Sequence, residues 1–223
     1  MEVTSDIALF ILSVSVAYLL GAFPPAYLIA RFARGIDIRK FGSGNAGSLN
    51  VYRYVGRRDA GLVFILDTAK GALAVLLPRW IGAPDMAMYV AAIVVVIGHN
   101  WSVFLKFSGG KGVATVFGVT VTVIPILALV TLPPAMLLMA IMRSSVLGMV
   151  VAFAALNILA IVTGQSTGTI IVCLLLTLVV AVTHFGREAN IYVRLFNQKR
   201  VERNEAYRMR FRRAWPLLLK RRK

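Results

Sequence analysis

The chain has 223 residues, of which 59% are hydrophobic and only 15% charged, and a mean hydropathy of +0.79; these values exclude a soluble globular protein and indicate an integral membrane chain. The formal charge of +16 would suit a nucleic-acid binder, yet 20 of the 25 Lys and Arg residues fall in two segments, 31–59 and 184–223. That clustering fits cytoplasmic loops against anionic membrane lipids and argues against nucleic acid as a partner.

The first apolar run, residues 7–30, follows Glu2 and Asp6 rather than a basic region, so it is expected to be a retained membrane helix and not a cleaved signal. Next comes a glycine-laced stretch, residues 41–53 (FGSGNAGSLNVYR), read as a loop entering a helix. Gly42, Gly44 and Gly47 let the backbone wrap, while Ser43, Asn45, Ser48 and Asn50 supply polar groups. Arg53 adds a bidentate cation, and the set forms a nest for a phosphate. The run 60–77 carries Asp67 and Lys70 on one helix face. Ionisable groups inside a membrane invite a functional reading, but a structural ion pair that braces the bundle accounts for these two.

The run 86–97 leads into a second glycine-laced stretch, residues 98–115 (GHNWSVFLKFSGGKGVAT). Its Ser108-Gly109-Gly110-Lys111-Gly112 core is not a nucleotide-binding Walker loop, because Leu105 and Gly112 stand where that motif needs glycine and a hydroxyl. Lys111, beside the amides of Gly109 and Gly110 at the start of an apolar helix, suits a substrate phosphate. His99 reads either as a structural hydrogen-bonder or as a site residue.

Residues 113–142 would make a helix of about 45 Å, well beyond a bilayer core of about 30 Å, and contain Pro125, Pro133 and Pro134. Charge parity favours two short helices, since two crossings put the basic tail on the same side as the other basic loops. With runs at 146–162 and 169–183, the expected fold is an all-α seven-transmembrane-helix bundle, N-terminus outside and C-terminus cytoplasmic. Residues 1–185 form the transmembrane domain, and 186–223 a basic cytoplasmic tail, interfacial or disordered. Both glycine stretches, the Arg143-Ser144-Ser145 loop and the tail then meet one membrane face. Cys173 stands alone in an apolar run and the two histidines, His99 and His184, lie far apart, so no disulfide and no metal site are expected.

In order along the chain, these segments resemble the acyl-phosphate-dependent glycerol-3-phosphate 1-O-acyltransferases of bacteria, the PlsY family. GSGNAGSLNVYR resembles that family's first motif, ILDTAKG its Leu-Asp-x-x-Lys-Gly element, and GHNWSVFLKFSGGKGVAT its most specific signature. Arg143-Ser144-Ser145 resembles its Arg–Ser loop, and Arg187, Glu188, Asn190 and Ile191 resemble its closing stretch. Leu49 departs from the family's threonine, the Arg–Ser loop is one residue short, and Ala189 looks inserted.

The resemblance implies acyl transfer from acyl phosphate to the sn-1 hydroxyl of glycerol 3-phosphate, giving lysophosphatidic acid, by a monomer in the bacterial cytoplasmic (inner) membrane. It further implies that Ser43, Gly44, Asn45, Asn50, Arg53, Gly109, Gly110, Lys111, Ser144 or Ser145, Arg187 and Asn190 hold substrate phosphates. Catalysis is expected to be substrate-assisted, with Lys111 and His99 nearest the chemistry and no cofactor or metal. The alternative is a transporter or flippase of a phosphate-bearing lipid or anion, which should carry polar residues on both faces; here the outer loops are nearly bare.

Overall fold

The computed structural model describes residues 2–142 and 145–187, all helices and connecting loops, with no strand among them. The chain divides into two units, Met1–Thr183 and His184–Lys223, and the packing below is that of the first. In chain order the helices are α1 (Glu2–Ala22), α2 (Pro25–Arg34), α3 (Ser48–Tyr54), α4 (Arg57–Trp80), α5 (Asp85–Asn100), α6 (Val113–Val123), α7 (Pro125–Met142) and α8 (Ser145–Val162). A ninth, α9, covers Thr167–Arg187 and so crosses the boundary between the units.

Prolines set several of these limits. The run read as one helix over 7–30 is two, because Pro24 and Pro25 cannot donate to the last turn of α1, and Pro25 instead occupies the first position of α2. α2 then ends where Gly35 turns left-handed (φ 68°) and its N–H bonds back to the Arg31 carbonyl. In the long run over 113–142, α6 stops at Ile124 and Pro125 opens α7, while Pro133 and Pro134 lie within α7 without ending it.

Helical stretches Thr4–Arg34, Arg57–Trp80, Asp85–Leu105 and Thr167–Arg187 are long and apolar enough to cross a bilayer, and Val113–Val123, Pro125–Leu138 and Val146–Val162 are shorter apolar helices. The chain is therefore a multi-pass membrane protein. In lipid, helices associate through close backbone contact rather than hydrophobic exclusion, so small residues collect at crossings. A Cβ at Gly21 of α1 would collide with the Val95 carbonyl of α5, and one at Gly98 of α5 with the Tyr18 carbonyl of α1. The α4–α6 contact repeats the device, with Gly71 against the Thr115 carbonyl and Gly118 against that of Thr68. Polar side chains add bonds across helices: Asn100 donates to Thr183 (2.8 Å) and Asn157 to Thr177 (2.7 Å).

Two of the apolar clusters among the described residues bear on the site. One, through Val75, Val95, Val119 and Leu176, fills the centre of the bundle. The other joins Ala30 of α2, Ile38, Val51 of α3, Val63 of α4 and Leu105. This second cluster seats both glycine-rich segments on the helices.

Candidate functional site

The first glycine-rich segment is organised by one side chain. Asp37 caps a single 3-10 turn, Ile38–Lys40, by accepting the Arg39 N–H. The chain then curls through left-handed Gly42 (φ 53°) and Gly44 (φ 67°) into α3. Asn50 of α3 is 2% exposed, and its Nδ2 faces the carbonyls of Ile38, Phe41 and Asn45 at 3.0–3.1 Å. Buried carbonyls need such donors, so Asn50 fixes the loop's curvature from inside. Ser43 and Asn45 are half-buried on this loop. Arg53, one helical turn beyond Asn50 on α3, is exposed, and its side chain makes no hydrogen bond or ion pair among the described residues.

The second segment is organised by the end of α5. The N–H groups of Gly109 and Gly110 donate to the carbonyls of Asn100 (3.1 Å) and His99 (2.9 Å). These carbonyls lie at the helix C-terminus, where the helix itself offers no donor. Both amides therefore cap α5, and the two glycines have another reason to be there. A Cβ on Gly109 would strike the His99 carbonyl, and one on Gly110 would strike the His99 ring at Nε2. Glycine lets this loop lie directly on His99. Lys111, half-buried, follows at once, and Gly112 (φ 84°) turns the chain into α6.

Asp67 and Lys70 of α4 form an ion pair of 2.8 Å, and His99 Nδ1 stands 3.3 Å from the same Asp67 oxygen. All three are at most 6% exposed. Lys70 Nζ also donates to the Phe23 carbonyl (3.0 Å), in the break between α1 and α2. One buried network thus joins the break between α1 and α2 to the imidazole under Gly110. Sequence reasoning found Asp67 and Lys70 by their spacing on one helix, but His99 arrives on a different helix and no local pattern signals the contact.

The two segments meet. Ala46 N–H approaches the Gly109 carbonyl at 3.4 Å, and Arg39 Nη1 donates to the Leu105 carbonyl at 2.9 Å. Arg39 is a residue that sequence reasoning passed over; its only signal was the Asp-Ile-Arg spacing, which lets Asp37 hold the guanidinium through Nε (3.0 Å) and Nη2 (2.8 Å). That pairing holds the Asp37 carboxyl below its ordinary range and raises the guanidinium further. Between the segments lies a small cleft lined by Phe23, Pro24, Ala46, His99, Ser102 and Gly110. The Ser102 hydroxyl donates to the Ala22 carbonyl, so it is turned away from any role as a nucleophile activated by His99. Among the described residues no cluster of three His, Cys, Asp or Glu could hold a metal.

Arg143, Ser144 and Asn190 lie outside the described residues, as does the side chain of Ser145, which opens α8. Arg187 is the last described residue of α9 and belongs to the second unit.

The sequence model of a family described as glycerol-3-phosphate acyltransferase matches residues 11–194. A glycerol-3-phosphate acyltransferase of Clostridioides difficile is 42% identical over 184 residues, 80% of this chain and 90% of that one. Others, from Dehalococcoides mccartyi and a Thermoanaerobacter species, are 43% and 50% identical over 57% and 55% of this chain, and the match spans only 55% and 61% of their own lengths. Among solved structures, crystal forms of PlsY, an integral membrane glycerol 3-phosphate acyltransferase, superpose with TM-scores of 0.74 (glycerol 3-phosphate form, 29% identical) and 0.71 (lysophosphatidic acid form, 28% identical), each over 82% of this chain and 92% of that one.

Proposed function

The chain belongs to the glycerol-3-phosphate acyltransferase family, and from that premise we propose that it transfers a fatty acyl group from acyl phosphate to the sn-1 hydroxyl of glycerol 3-phosphate. The observation that carries the reading is the meeting of the two glycine-rich segments, through Ala46 with Gly109 and Arg39 with Leu105, in a fold shared with an enzyme solved in glycerol 3-phosphate and lysophosphatidic acid forms.

In this reaction the hydroxyl oxygen attacks the acyl carbonyl, the bond from that carbon to the phosphate oxygen breaks, and lysophosphatidic acid and inorganic phosphate leave. An acyl phosphate is a mixed anhydride, so orientation and charge neutralisation lower much of its barrier. Arg53 and Lys111 are the cations assigned to the substrate phosphates, with Ser43, Gly44 and Asn45 on one side and Gly109 and Gly110 shaping the other; Asn50, expected among the phosphate ligands, is buried behind them with its amide donors committed to the loop carbonyls. Ser144 or Ser145, Arg187 and Asn190 complete the set. The hydroxyl proton goes to a substrate phosphate oxygen, with His99 as the side chain of second choice. Arg53→Ala and Lys111→Ala are each expected to lower kcat/KM by about 10–150-fold, the weight of one charge-assisted hydrogen bond.

The same reading has seven membrane helices, N-terminus outside and C-terminus cytoplasmic, in a monomer of the bacterial cytoplasmic membrane. The tail 186–223 would lie on anionic lipid. The deciding experiment incubates purified protein with glycerol 3-phosphate and either palmitoyl phosphate or a palmitoyl thioester. Lysophosphatidic acid should form from the phosphate only, unchanged by EDTA or ATP. Product from the thioester alone, or loss with EDTA and recovery with magnesium, overturns the mechanism.

A further inference from the structure

Non-glycine residues at positive φ among the described residues are Lys106 (φ 54°) and Phe107 (φ 58°), next to each other in the second glycine-rich segment. They are the central pair of a turn over residues 105–108, closed by the Ser108 N–H on the Leu105 carbonyl at 3.2 Å. A turn with both central residues left-handed is of the I′ kind, whose usual occupants are Asn and Gly. A lysine and a phenylalanine adopt it only where neighbouring contacts over-determine the backbone. One such contact is local, the Phe107 N–H on the Ser102 carbonyl (2.8 Å).

The other comes from the first segment. Arg39 Nη1 donates to the Leu105 carbonyl at 2.9 Å, the same oxygen that closes the turn. Arg39 is itself held on two further sides: both Asp37 oxygens accept from its guanidinium, and its Cζ lies 5.1 Å from the centroid of the Tyr27 ring on α2. A planar fork can satisfy a carboxylate bidentately and still present a third N–H in a fixed direction, which a lysine ammonium cannot do.

We infer that Arg39 is a positioning residue: anchored by Asp37 and Tyr27, it clamps the Leu105 carbonyl, holds the left-handed Lys106-Phe107 turn, and so delivers residues 108–111 to their place beside Ala46. For its kinetic consequence the inference rests on the function proposed above. A clamp of this kind acts on the geometry of the phosphate site, so its loss raises KM for the phosphate-bearing acceptor more than it lowers kcat.

The test uses the full chain. Arg39→Ala should raise KM for glycerol 3-phosphate about tenfold or more, and Arg39→Lys should recover little of it. Lys106→Gly, which removes the cost of the left-handed conformation, should alone stay within about twofold of the parent and should recover most of the loss in the Arg39→Ala background. Strictly additive effects of the two changes overturn the clamp, as does an unchanged KM in Arg39→Ala. An arm independent of activity compares tryptic cleavage after Lys106 with cleavage after Arg58 in the same chain. That ratio should rise in Arg39→Ala, and in Asp37→Asn should the arginine variant fail to fold; an unchanged ratio overturns the inference. If the parent protein transfers no acyl group to glycerol 3-phosphate, the proposed function fails while the cleavage ratio still decides the clamp.

Discussion

Residues 41–53 fold around a side chain of their own, whereas residues 98–115 fold around the end of the helix that precedes them. In the first, Asn50 reaches back to three carbonyls of its own loop, and Gly42 and Gly44 are there for left-handed backbone. In the second, Gly109 and Gly110 cap α5 and exist as glycines because His99 occupies the space a Cβ would need. Similar composition thus serves two physical demands in different proportion: left-handed backbone leads in the first segment, where Gly42 also leaves room for Tyr54 and Asn50, and close approach leads in the second, where Gly112 is left-handed as well. The second depends on α4 as well, because Asp67 and Lys70 stand behind His99.

That dependence gives the largest expected effect. Lys70→Ala removes the cation from a fully buried carboxylate and the donor from the Phe23 carbonyl, at a cost of about 3–5 kcal/mol in unfolding free energy. Thermal unfolding in detergent checks it. A shift no greater than that of an exposed lysine variant such as Lys40→Ala would mean that the network does not support the second segment.

The two reasons for glycine separate in the next experiment. At Gly44 (φ 67°), alanine should cost about 1–2 kcal/mol and asparagine distinctly less, since asparagine tolerates left-handed backbone. At Gly109 alanine and asparagine should both cost about 1–3 kcal/mol or more, because the obstacle is the His99 carbonyl and not a dihedral angle. Equal tolerance of asparagine at the two positions would erase the distinction.

The smallest effect concerns the pair that ties the segments together. Because Arg39 holds the native Asp37 carboxyl below its unfolded value of about 3.9, the pair contributes stability that is complete above that pH and fades as pH falls through the lower native value. Both side chains are partly exposed, which limits the contribution to under about 1 kcal/mol. Asp37→Asn should therefore melt slightly below the parent at about pH 7, and the gap should shrink as pH falls below about 4, as pairs of melting curves will show. A gap that widens on acidification would reverse the sign of the linkage.

Much of this molecule was legible in one dimension. Apolar runs are local signals, so the membrane class and the helix following the first glycine stretch were read from residue order, and charge parity called for two helices in 113–142; which of Pro125, Pro133 and Pro134 divides them was left to the structure, where it is Pro125. The order of motifs also pointed to the acyltransferase family. The break at Pro24 and Pro25 was equally local and was passed over because the apolar composition continues through it. Spacing of three residues identified Asp67 and Lys70, since a helix puts such residues on one face whatever surrounds it.

Contacts between elements were beyond the sequence. His99 meets Asp67, Arg39 meets Leu105 and Ala46 meets Gly109 only because α4, α5 and the two loops pack together, and no periodicity within one segment encodes what another segment brings. The amides of Gly109 and Gly110 show the same limit. A run of glycines announces that the backbone must do something a side chain would forbid. Whether that is to bend, to bind or to make room is decided by whatever lies one van der Waals radius away, and here it is the imidazole and carbonyl of His99.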